Sequence, residues 1–166
     1  NAILPQELQG VPRHQARKQA LEMMEPFGLG GFERQYPSTL SGGMRQRAAF
    51  LRTVLAGRDI LLLDEPFGAL DALTRTQMQE WLLNLWDSLK KTIVLVTHDV
   101  EEAVLLSDRV YVLTQRPGKV RLMQVVNLPR PRTSSMVTQE AFVHLKAQLL
   151  AALKDGSPTP SRSVPL

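Results

Sequence analysis

The sequence predicts an α/β protein, and three observations lead there. Two short aliphatic runs, Ile60 to Leu63 and Ile93 to Val96, have the unbroken apolar character of strands buried on both faces of a parallel sheet. Segments of helical periodicity alternate with such runs, so the order reads strand, helix, strand, helix, strand. The composition, 43% hydrophobic and 22% charged over 166 residues, is that of about one globular domain and excludes a disordered or fibrous chain.

The elements follow in order. His14 to Glu25 reads as a helix after Pro12, with Ala16, Ala20, Leu21 and Met24 on one face and a stop near Gly28. Gly28, Gly30 and Gly31 make a loop. Ser41, a preferred N-cap, starts a second helix whose Met44, Ala48, Leu51 and Leu55 line up before Gly57. After the first strand, Ala72 to Leu89 carries an apolar stripe of Leu73, Met78, Trp81, Leu82, Leu85 and Leu89. Thr92 to Thr97 is the second strand, Val100 to Leu106 a short helix, and Arg109 to Thr114 a third strand. Pro117-Gly118 turns the chain into a fourth, Val120 to Val126. Pro129 and Pro131 mark a linker, Gln139 to Lys154 a terminal helix, and Ser157 to Leu166 a Pro/Ser-rich tail.

Composition also excludes chemistries. The chain has no Cys, which rules out disulfides, a thiol nucleophile and thiolate zinc sites. No aliphatic run is longer than five residues, far short of the roughly 20 that span a bilayer. The net charge of +4 is uneven: 12 basic against 14 acidic residues up to Arg109, then 8 against 2. Arg116, Lys119, Arg121, Arg130 and Arg132 either form a solvated hairpin and linker or face phosphates, nucleic acid or an anionic membrane. Only Tyr111 interleaves with them, which gives a base-stacking surface little support.

Three segments carry chemistry. Asp64-Glu65 ends the first strand, where the crevice of a doubly wound sheet lies; Asp64 suits a hard Mg²⁺ ligand and Glu65 a base, or both simply cap the next helix. Thr97-His98-Asp99 ends the second strand, so parallel pairing opens His98 onto the same crevice, as a donor to a phosphate oxygen or water. His14 and His144 fall in polar helices and receive no function. Leu40-Ser41-Gly42-Gly43-Met44-Arg45-Gln46-Arg47 joins a hydroxyl, two glycines and a helix N-terminus, which is either an anion site or a plain capped start.

Taken in order, Leu40 to Gln46, Ile60 to Pro66, Gly68-Ala-Leu-Asp71 and Thr97-His98-Asp99 resemble the signature motif, Walker B strand, D-loop and H-loop of ABC transporter ATPase subunits. Val96 to Ala103 and Asn127 to Arg132 are more particularly similar to bacterial importers of the nitrate, sulfonate and taurine type. The resemblance implies the C-terminal part of a RecA-like P-loop NTPase core with a helical subdomain. Residues 1–58 would be that subdomain, 59–128 the core part with Walker B, D-loop and H-loop, 129–154 a linker and helix, and 155–166 a disordered tail.

The same resemblance implies ATP and Mg²⁺ as cofactors. Asp64 would hold Mg²⁺ through water, Glu65 would be the catalytic base and His98 would contact the γ-phosphate. Ser41, Gly42, Gly43 and Gln46 would belong to the nucleotide contact across a dimer, with Asp71 linking the two halves. Met44 stands where the family more often has Gln. The partners implied are a second ATPase subunit, identical or not, transmembrane permease subunits and, indirectly, a solute-binding protein, at the cytoplasmic face of the membrane and without nucleic acid.

One departure is large. An ATPase of this kind needs a G-x-x-x-x-G-K-[ST] loop to cradle the triphosphate. The single Gly-Lys pair, Gly118-Lys119, is followed by Val120 and has Leu113 where the first Gly belongs. The Q-loop Gln is missing too. The expectation is therefore a chain without the N-terminal portion of such a subunit, inactive toward ATP by itself. A shortened, non-catalytic module that docks on a permease is an alternative, as is a DNA-repair type ATPase, although Ser41 and Thr74 stand too close for a coiled-coil arm. Phe27, Leu29, Phe32 and Tyr36 either anchor the subdomain's own core or, as the resemblance implies, help form a permease groove.

Overall fold

The computed structural model describes residues 1–154; the tail 155–166 lies outside the described residues. The chain forms two compact units, Asn1–Thr97 and a second that begins at His98.

The first unit opens with a short helix that periodicity does not predict, α1 (Leu4–Leu8), started by Pro5 where a missing N–H costs nothing. Helix α2 (Arg13–Met24) buries Ala16 and Ala20. Helix α3 (Gly42–Leu55) buries Phe50, Leu51, Val54 and Leu55. Strand β1 (Ile60–Asp64) pairs in parallel with β2 (Thr92–Val96), Ile60 opposite Thr92 and Asp64 opposite Val96. Between them runs α4 (Ala72–Leu89), which ends as Lys90 turns left-handed at φ 47°. The helices meet in an aromatic cluster. Trp81 of α4 receives the edges of Phe27 and Phe50 at 5.4 and 5.7 Å, and Phe50 stacks on Phe67 at 6.4 Å. The Arg47 guanidinium lies over the Trp81 ring at 5.3 Å, a cation–π contact joining α3 to α4.

In the second unit α5 (Val100–Leu106) precedes an antiparallel hairpin of β3 (Arg109–Leu113) and β4 (Val120–Val125), Tyr111 opposite Met123. The Pro117-Gly118 turn is closed by Thr114, whose N–H donates to the Lys119 carbonyl at 2.8 Å and whose hydroxyl donates to that of Pro117 at 2.9 Å. Helix α6 (Glu140–Lys154) packs on α5 and the hairpin through buried Phe142 and Leu149.

One expectation is corrected. The aliphatic run of β1 is not buried on both faces: Leu61 and Leu63 are interior, at 1% and 7% exposure, while Ile60 and Leu62 are 59% and 73% exposed. Only one face of the β1–β2 pair is covered by its own unit, and the pleat sends alternate residues to opposite sides. Among the described residues no helix is long and apolar enough to cross a membrane.

Candidate functional site

Two helix starts converge in the first unit. Ser41 has the extended backbone of an N-cap, φ −63° and ψ 167°, and its hydroxyl accepts from the Met44 N–H at 3.2 Å. Gly42 and Gly43 form the first helical turn, where N–H groups have no intrahelical acceptor and face outward. Asp71 caps α4 in the same way, Oδ1 accepting from the Thr74 N–H at 3.0 Å. The Thr74 hydroxyl first, and then this Thr74 N–H, hold the Asp71 carboxyl below the ordinary carboxylate value.

The two starts lie side by side because Gly43 has no side chain. A Cβ there would come 3.2 Å from Thr74 Cγ2 and 3.7 Å from Met78 Sδ. Between them opens a cleft of about 290 Å³, lined by Ser41, Gly42 and Gly43 on one side and Leu70, Asp71 and Thr74 on the other. Gln46, one turn along α3, is not among its lining residues.

Asp64 and Glu65 occupy the C-terminal end of β1, and both are exposed. Glu65 is left-handed, φ 42°, one of two non-glycine residues with positive φ among those described. Its N–H donates to the Val96 carbonyl at 2.8 Å, and its own carbonyl accepts from Gly68 at 3.2 Å. The carboxylate pair is thus held on a tight turn that runs straight into the Ala69-Leu70 wall of the cleft. Left-handed backbone costs a non-glycine residue about 1–2 kcal/mol, and such strain concentrates at functional positions.

Fitness for a metal is a matter of donor chemistry. No cluster of three His, Cys, Asp or Glu side chains suited to a metal occurs among the described residues, which leaves no all-protein cage. Mg²⁺ does not require one: one or two carboxylates with water and phosphate oxygens suffice, and Asp64 with Glu65 meets that need. His98 opens the second unit. The residue after it, Asp99, caps α5, Oδ1 accepting from the Glu101 and Glu102 N–H groups at 2.8 and 3.1 Å.

Of the residues singled out in the sequence, Ser41, Gly42, Gly43 and Asp71 share the cleft, Asp64 and Glu65 stand at the strand end that feeds it, and His98 belongs to the other unit. Arg47, the last residue of the candidate anion segment, also lines the cleft, together with Thr74 and Met78, which the sequence reading does not assign to a site. The available signal was helical spacing: Thr74 is three residues past the Asp71 cap. The large apolar residues around this loop divide, with Phe27 and Leu29 buried at 0% and 2% exposure and Phe32 and Tyr36 exposed at 42% and 77%.

Residues 2–68 match the model of the ABC transporter family. A formylaminopyrimidine import ATP-binding protein, ThiZ, of Halalkalibacterium halodurans is 53% identical over 95% of this chain and 64% of its own length. An aliphatic sulfonates import ATP-binding protein, SsuB, of Bacillus cereus is 45% identical over 81% of this chain and 53% of its own. Among solved structures, the dimeric MJ0796 bacterial ABC transporter cassette is 33% identical with a TM-score of 0.55, over 71% of this chain and half of that one. The chain therefore spans between half and two thirds of the length of the curated relatives it matches.

Proposed function

We propose, from the premise that this chain belongs to the ABC transporter ATPase family, that it supplies the signature and Walker B half of an ATP-hydrolysing importer subunit. The observation that carries this reading is the cleft on which the Ser41–Gly43 helix start and the Asp71 cap open together.

A helix start with a hydroxyl and outward N–H groups takes anionic oxygens. Ser41 Oγ and the Gly42 and Gly43 N–H groups would receive the terminal phosphate of an ATP held on the phosphate loop of a second subunit. Asp64 would hold Mg²⁺ through water; when bound, the ion neutralises charge that develops on the phosphate oxygens. Glu65, fixed at φ 42°, would accept the proton of the attacking water, and His98 would donate to the γ-phosphate. Asp71 would reach across the dimer. Within these 166 residues there is no G-x-x-x-x-G-K-[ST] run, so the triphosphate cradle has to come from another segment or chain.

The partners of this reading are a second ATPase subunit and transmembrane permease subunits, with a solute-binding protein beyond them, at the cytoplasmic face of the membrane. The import names of ThiZ and SsuB support uptake as the direction of transport.

The test compares the chain alone with a completed subunit, in which it is joined to the phosphate-loop segment of the ThiZ relative. The chain alone should show no Mg-ATPase above a Glu65→Gln control. The completed subunit should hydrolyse ATP, and Glu65→Gln should lower its rate ~10²- to 10⁴-fold, the usual contribution of a general base, while ATP traps a dimer on size exclusion. Hydrolysis at the parental rate in that variant would remove Glu65 from the role.

A further inference from the structure

The second unit contains a buried cation that the proposed mechanism does not use. The Arg132 side chain is 1% exposed, and its guanidinium is surrounded by main-chain oxygens. Nη1 donates to the carbonyls of Val104, Leu105 and Ser107 at 3.3, 3.3 and 2.7 Å. Nη2 donates to those of Val126 and Leu128 at 3.2 and 3.5 Å and to Asp108 Oδ1 at 3.4 Å. Arg130 grips the same Asp108 oxygen through Nε at 3.2 Å and Nη2 at 2.8 Å. Burying a guanidinium is costly unless its donors are satisfied, and here Nη1 spends its donors on the C-terminal end of α5 while Nη2 spends its own on Asp108 and the segment after β4.

Helix α5 has seven residues. A helix of about two turns is far below the length that is stable by itself, so its ends decide where it lies. The Asp99 carboxylate caps the first turn, and Lys146 of α6 pairs with Glu101 at 2.6 Å. Arg132 takes up the carbonyls left over at the last turn, where a positive charge also complements the helix dipole. A seven-residue helix is about 10 Å long and behaves as one rigid piece, so a shift at its last turn moves its first. His98 is joined directly to that first turn.

We propose that Arg132 is a positioning residue for His98: by clasping the last turn of α5 it sets the place from which His98 meets the γ-phosphate. The clasp ties the H-loop to the Asn127–Arg132 linker, so the segment that follows β4 bears on the placing of His98. The inference rests on the ATPase reading given above, in which His98 contacts phosphate.

Two experiments test it. In the full 166-residue chain, hydrogen exchange is compared between the parent, Arg132→Lys, which keeps the charge but loses the fork, and Asp108→Ala, which removes an exposed carboxylate that orients the fork. Both variants should speed exchange of the Ala103–Ser107 amides about tenfold or more while leaving α3 and α4 unchanged. Unchanged protection in α5 would overturn the clasp whatever the chain's activity.

In the completed subunit, the same substitutions should lower kcat about 10- to 100-fold, the scale of a small misplacement of a reacting group, with KM for ATP within about twofold. In a His98→Ala background neither should lower kcat further, because groups that act as a unit are not additive. Additive losses, or kcat at the parental value with only a lower melting temperature, would overturn positioning and leave the ATPase reading intact. Should His98→Ala itself hydrolyse at the parental rate, the assigned role of His98 falls and the inference falls with it.

Discussion

At the scale of single residues, the three positions with the most to decide are Glu65, Gly28 and Ser41. Glu65 has a left-handed backbone, φ 42°, that glycine would adopt freely, so its side chain stands there at a conformational cost. Gly28 shows the opposite case. It sits at φ +64°, and a Cβ would come within 2.3 Å of Arg47 Nη1. Gly28→Ala should therefore cost about 1–2 kcal/mol in urea unfolding of the chain, from left-handed strain, and push Arg47 off the Trp81 ring; a variant as stable as the parent would show that the loop relaxes freely. Ser41 carries two roles that one substitution separates. Ser41→Ala should cost about 1 kcal/mol through the lost cap. Ser41→Arg in the completed subunit should also abolish the ATP-trapped dimer while nucleotide still binds the monomer; a dimer that survives would reduce Ser41 to its cap.

At the scale of elements, helix starts position the chemistry. Both α3 and α4 begin at a side-chain cap, and Gly43 lets them approach until Thr74 fills the gap. The Asp71 cap has a definite pH dependence. Its carboxyl is held below the ordinary carboxylate value, first by the hydrogen bond from Thr74, so the native state binds a proton less readily than the unfolded chain. The stability it contributes is present above the ordinary value near 3.8 and is lost as pH falls through its lowered native value. Asp71→Asn, which still accepts from Thr74 but does not ionise, should flatten that part of the acid unfolding curve. Curves of identical slope would mean that the carboxylate is not held in solution. The Ser41 cap was legible in the sequence, since Ser precedes an apolar periodic run, whereas the Asp71 cap was not read there. The convergence of the two caps was not legible, because it depends on how closely two helices pack.

At the scale of the whole molecule, the exposed aromatics of the loop before α3 bear on assembly. Phe32 and Tyr36 are exposed whereas Phe27 and Leu29 are core, so the two pairs should behave differently. Phe32→Ala and Tyr36→Ala in the completed subunit should weaken co-purification with permease subunits and leave the melting temperature within a degree or two. Phe27→Ala should instead cost about 3–5 kcal/mol, the usual effect of emptying a buried phenylalanine site. If the two exposed variants melt several degrees lower and still co-purify, the docking surface lies elsewhere.

Local interactions let the sequence alone determine most element positions, the Ser41 cap, the Pro117-Gly118 turn and the four family segments. Caps, turns and helical stripes are set by residues within a few positions of one another. Tertiary structure decided what depends on distant partners. It exposed Ile60 and Leu62 on a strand that reads as fully buried, because an all-aliphatic run has no alternation to say which face is covered. It paired β3 with β4 as a separate hairpin, brought Thr74 against Gly43, and gathered the carbonyls of α5 and the linker around Arg132. A guanidinium recruited by main-chain oxygens leaves no trace in the sequence, since every residue has a carbonyl and only the fold chooses which ones meet.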